Sequence, residues 1–93
     1  MELDRAELAD FTSTQLDALI AYDARHHSDL IASLQAYLDT RNAAMAARTM
    51  FVHYNTMKNR LRAIEELIGP FRDDPDRCLG LAIALRIRQL PTD

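Results

Sequence analysis

Residues 42–67 read NAAMAARTMFVHYNTMKNRLRAIEEL, and the spacing of the apolar positions divides them into a short helix, a tight turn and a longer helix. At about 100° per residue, Met57, Leu61, Ile64 and Ile68 fall on one stripe, which must face a core. Asn55, Asn59 and Arg62 then lie on the opposite face, with Tyr54 and Lys58 along one edge. The shorter helix before them is built of small residues. Ala43, Ala44, Ala46 and Ala47 let two helices cross closely, as a helix-turn-helix pair requires. Asn42 is a strong N-cap for that helix, and Phe51, Val52 and His53 form the turn, with Val52 plugging the gap between the two helices.

Charge points the same way. The formal net charge of −3 argues, taken alone, against a polyanionic partner. Its distribution reverses that reading. Residues 1–39 hold two basic and eight acidic residues, and residues 65–93 hold four basic and six acidic. Residues 40–64 contain no Asp or Glu but carry Arg41, Arg48, Lys58, Arg60 and Arg62. A basic patch between acidic flanks binds a polyanion in one orientation and repels it elsewhere.

In a helix that starts at Tyr54, the residues Tyr54, Asn55, Lys58, Asn59 and Arg62 are the set a recognition helix presents to a major groove. Their chemistry suits base edges, since Asn pairs bidentately with adenine and Arg with guanine. Arg41, Arg48, His53, Thr56 and Arg60 are expected to hold the DNA backbone or the two-helix unit itself. Arg60 lies on the flank nearest the apolar stripe and is also placed to pin the first helix of the pair. Glu65 and Glu66 would meet phosphates unfavourably, so only the first two turns are expected to enter the groove.

This pattern resembles the C-terminal helix-turn-helix domain of PucR-type bacterial transcription regulators, which include the sugar-diacid regulators. The family pattern is matched at Asn42, Ala47, Arg48, Val52, His53, Asn55, Thr56, Lys58, Arg60, Leu61, Ile64, Glu65, Glu66 and Leu67, and the likeness extends over roughly residues 18–90. Tyr54 stands where the family usually has Arg, Asn59 where it usually has Tyr, and Met50 and Met57 where it usually has Leu. The Met changes are conservative packing swaps, whereas Tyr54 and Asn59 fall on the face expected to read DNA. The resemblance implies a sequence-specific DNA-binding domain, cytoplasmic, working on double-stranded DNA, and forming the C-terminal module of a larger regulator behind a sensory domain.

The remaining chain supports a single all-α domain over residues 1–93, a small bundle of five to six helices. Apolar residues make up 48% of the sequence with only two Gly and three Pro, and Ala and Leu outnumber Val and Thr. A short helix is expected at residues 3–11, burying Leu3, Ala6, Leu8 and Phe11, then a break at Thr12, Ser13 and Thr14. The next helix, residues 14–25, turns Leu16, Leu19 and Ile20 inward and leaves Asp17 and Asp23 outside. His26 and His27 mark a bend, and Ser28 with Asp29 starts a helix over residues 29–39 with Leu30, Ile31, Leu34, Tyr37 and Leu38 on its core side. Gly69 and Pro70 end the long helix. Phe71 anchors the following loop, and Asp74 caps a last helix with Pro75 at its first position. That helix, residues 75–90, is apolar nearly all round, so it is either central or covered by another chain.

Several functions are excluded. Cys78 is the one cysteine, so no intrachain disulfide forms; it reads as an inert core residue. No apolar run is long enough to span a membrane. His26, His27 and His53 lack the further ligands a metal needs, and Asp73, Asp74 and Asp76 lack the Gly and distal Glu of a calcium loop. No cofactor, small-molecule ligand or catalytic set is called for, and an enzyme is not expected. The partner besides DNA is a second copy, a homodimer formed through the apolar C-terminal helix or the N-terminal helices. The competing reading is a helical protein-interaction or dimerisation module that does not read DNA.

Overall fold

Helices are the only regular elements in the computed structural model, which describes the backbone of residues 5–89 and the side chains of residues 14–89. They are α1 (Arg5–His26), α2 (Leu30–Thr40), α3 (Ala43–Thr49), α4 (Tyr54–Ile68) and α5 (Pro75–Gln89). The all-helical expectation holds, with one correction at the start. Residues 12–14 do not break the chain into two helices; α1 runs through them as one element of 22 residues. Ser and Thr cost only a few tenths of a kcal/mol each in a helix interior, and no Gly or Pro stands there to stop it. The expected burial of Leu3, Ala6, Leu8 and Phe11 falls outside the described side chains.

The other boundaries have local causes. Asn42 is extended, and its Oδ1 accepts the Met45 N–H at 3.0 Å, starting α3. Asp74 does the same for α5 through the Arg77 N–H at 3.1 Å, with Pro75 first in the helix. Gly69 ends α4 at φ 88°, its N–H reaching Glu65 O at 2.8 Å. The start of α2 departs from expectation. Asp29 makes no side-chain cap. Instead Asp23 reaches across from α1, its two carboxylate oxygens accepting the Leu30 and Ile31 N–H groups at 2.9 Å each and the Ser28 hydroxyl at 2.6 Å. Asp23 therefore does not stay outside; it is a carboxylate at a helix N-terminus, where the dipole favours it, and it ties α1 to α2.

The end of α3 is a Schellman motif. The Val52 N–H bonds to Ala47 O at 2.9 Å and the Phe51 N–H to Arg48 O at 3.1 Å, which places Phe51 at the left-handed position, φ 58°. Gly usually occupies that position. A non-Gly residue there costs roughly 1 kcal/mol.

The helix α2 is the hub. It packs on all four others, whereas α3 touches only α2 and α4 among the described residues. Leu19, Leu34, Ala46, Met57, Leu61, Ile64, Phe71 and Leu81 are fully enclosed. Phe71 anchors its loop as expected, with its ring edge-on to Tyr37 at 6.0 Å. The short α3 thus stands away from α1 and α5, while α4 packs on α1, α2 and α3.

Candidate nucleic-acid interface

The orientation of α4 is set by Met57, Leu61, Ile64 and Ile68, the four residues predicted to form its inner stripe and the four that are buried. With that stripe inward, Tyr54, Asn55, Lys58, Asn59 and Arg62 all emerge exposed, and Thr56 and Arg60 are half-buried. Five of the ten candidate DNA-binding residues therefore share one open helix face. Lys58 Nζ lies 5.4 Å from the centre of the Tyr54 ring, a cation–π pair one helical turn apart. The one ion pair among the described residues joins Glu65 to Arg72, so the cations of Arg48, Lys58 and Arg62 have no carboxylate partner there.

The two halves of α4 are held very differently. Its C-terminal half is fixed from three directions. Ile68 O accepts Gln15 Nε2 of α1 at 3.1 Å and also the Arg77 guanidinium of α5, a cation at the negative end of the helix. Glu65 folds back onto the next loop, taking the Phe71 N–H at 3.1 Å and the Arg72 guanidinium at 2.5 and 3.1 Å. Partial burial pushes the Glu65 carboxyl up, but the bonds from the Arg72 side chain and the Phe71 and Arg72 backbone outweigh it, and the group is held below its ordinary value. Glu65 is thus held by the loop, in the part of α4 expected to stay clear of the groove. Only Glu66 of the pair is exposed.

On the flank of α4, Arg60 Nη1 donates to Ser33 Oγ at 3.2 Å. Ser33 is completely buried in α2, so this Arg ties α4 to the hub, and not to α3, the helix that its flank position was expected to pin. The remaining candidates surround the open half of the helix along the chain. Arg48 is exposed in the last turn of α3, and His53 is exposed, extended and immediately before Tyr54. Arg41 is exposed at the α2–α3 junction in a left-handed conformation, φ 54°. It is near enough to Cys78 for its charge to oppose the upward push that burial gives the thiol.

Sequence reasoning passed over two exposed apolar side chains in this region, Met45 at 51% and Phe51 at 94% exposure. The signal for Phe51 was available. A helix end with no Gly or Asn after it must place some other residue left-handed. No group of three or more His, Cys, Asp or Glu side chains gathers to hold a metal among the described residues.

Residues 30–87 match the family described as the PucR C-terminal helix-turn-helix domain, a span that takes in α2, α3, α4 and nearly all of α5. The chain belongs to that family. This PucR-type domain is 33% identical over 85 residues to the purine catabolism regulatory protein of Bacillus subtilis (strain 168), covering 90% of this chain and 16% of that protein. No solved structure matches it. As a PucR-type domain it is a DNA-binding domain of the transcription-regulator class, and the family is one of regulators rather than enzymes.

Proposed function

We propose that the domain reads double-stranded DNA with the first two turns of α4 in the major groove. The observation that carries this is the contrast within one helix: its C-terminal half is clamped by α1, the loop and α5, while the outer face from Tyr54 to Arg62 presents only amides, cations and one phenol to solvent. Asn55 and Asn59 suit adenine and Arg62 suits guanine. Tyr54 and Lys58 border the same face. Arg41, Arg48, His53 and Thr56 hold phosphates, and Arg60 contributes by fixing the helix. With four or five phosphates per monomer, log affinity falls against log salt with a slope of about −4. A selection from random duplexes followed by mobility shifts over a salt series tests this. Association that ignores salt sinks it.

We further propose that the chain works as one domain, the C-terminal module of a larger cytoplasmic regulator, and that it pairs on DNA. Its 16% coverage of the Bacillus subtilis relative supports the modular reading. In α5, Leu79, Ile83 and Ile87 are 60%, 50% and 57% exposed. The stripe is symmetric about Ile83, so an antiparallel copy sets Leu79 opposite Ile87 at both ends, the self-complementarity that a two-fold contact needs. Ile87 also lines a pocket of about 150 Å³ with Leu16, Asp17, Ala84 and Arg88, which extends the patch onto α1. Paired half-sites about 34–36 Å apart, or a multiple of that, are the expected target. Sedimentation that finds only monomers at high concentration removes the pairing for this domain.

A further inference from the structure

We infer that Phe51 is itself a DNA contact, its ring lying against deoxyribose or a thymine methyl at the rim of the groove that α4 enters. The inference rests on the DNA reading above and adds a residue to it. The backbone does not explain a Phe here. Phe51 fills the left-handed position of the Schellman motif that ends α3, φ 58°, where Gly is least strained.

The core does not explain it either. The side chain is 94% exposed, the most open of the large apolar residues among those described. His27 and Arg41 are also left-handed, at φ 51° and 54°, but both are polar side chains that sit in water without loss. Phe51 combines backbone strain with an apolar surface that folding leaves bare, and residues that carry such unrelieved strain cluster at binding sites.

What covers the ring follows from where it stands. It precedes His53 and Tyr54, at the open end of α4, and lies within residues 40–64, where there is no acidic residue. The cations of Arg48 and Lys58 flank it along the chain, and neither has a carboxylate partner among the described residues. A bare ring in a stretch of exposed cations that have no such partner fits a polyanion that also offers apolar groups. Duplex DNA does so through its sugars and the thymine methyl.

The test uses three variants of this chain on a duplex selected with the wild type. Phe51→Gly relieves the strain, so its unfolding temperature equals or exceeds that of the wild type, while affinity for the duplex falls about tenfold, as the loss of one partly buried aromatic contact implies. Phe51→Asn, which also tolerates the left-handed conformation, falls with it, and Phe51→Tyr keeps the affinity. Because no phosphate contact is removed, the slope of log affinity against log salt stays that of the wild type. Wild-type affinity in the Gly and Asn variants overturns the assignment. So does a loss confined to Gly, which would trace the effect to a loosened turn. A wild-type chain that binds no duplex sinks the DNA reading itself, a result distinct from either.

Discussion

The helices α4 and α5 are each fifteen residues long and each buries four residues along one stripe, Met57, Leu61, Ile64 and Ile68 in the first and Cys78, Leu81, Ala84 and Leu85 in the second. Their outward faces are opposites. One offers Asn55, Lys58, Asn59 and Arg62 to water; the other offers Leu79, Ile83 and Ile87. Burial of the stripe fixes which face looks out and leaves its chemistry free. The folded domain thus presents two surfaces with different demands, one seeking fixed negative charge and the other seeking removal from water.

If the two faces serve separate partners, each must be breakable alone. Arg62→Glu gives the largest effect. On the proposed docking it replaces a cation that faces bases with an anion beside phosphates, so affinity for the selected duplex should fall by about 100-fold or more, while self-association measured by sedimentation stays unchanged. A matching loss of self-association would mean that the two faces are one. Ile83→Asp is the reciprocal change. At the centre of a two-fold contact it acts twice, and the dimer should weaken about 30-fold, since each copy loses the burial of half a side chain and gains an unpaired charge. A single half-site should still be bound as before.

Glu65 probes what holds α4 still. Glu65→Gln removes the ion pair and weakens the loop bonds, and should cost about 1–3 kcal/mol in urea unfolding. The carboxyl is lowered in the folded state, so its contribution is complete above the unfolded value, near pH 4.5, and is lost as pH falls through the lower folded value. Wild type should therefore lose stability on that acid limb more steeply than the Gln variant. Parallel acid limbs would show that the carboxylate contributes nothing to the clamp.

The features legible in the sequence were those that rest on neighbours along the chain. The inner stripe of α4, the Asn42 cap, the Asp74 and Pro75 start and the Phe71 anchor all follow from spacing or from a side chain reaching its own backbone. What escaped depends on distant partners. Asp23 looked like a solvated acid because the N–H groups it caps belong to the next helix, and the hold of Arg72 on Glu65 was invisible because Arg72 lies beyond the Gly69 turn. The break expected at residues 12–14 overrated a weak signal, for Thr and Ser cap a helix only where something else ends the previous one. For the face proposed to meet DNA, spacing gave the outward direction of Tyr54, Asn55, Lys58, Asn59 and Arg62. It could not show that Arg60 is drawn onto Ser33, since Ser33 reveals its burial only once α2 and α4 are packed.

Arg60 and Ser33 give the smallest expected effect and the finest division of labour within α4. If Arg60 acts by pinning the helix, Ser33→Ala and Arg60→Gln should each cost about 1 kcal/mol of stability, and the double variant should cost less than their sum because both remove the same bond. DNA affinity should then change by no more than about threefold in any of them, with no change in salt slope. A phosphate ligand behaves otherwise, for its loss makes the slope shallower by about one. If Arg60→Gln flattens the slope and Ser33→Ala does not, the guanidinium leaves Ser33 when DNA arrives, and the flank of α4 belongs to the open half of the helix rather than to the clamped one.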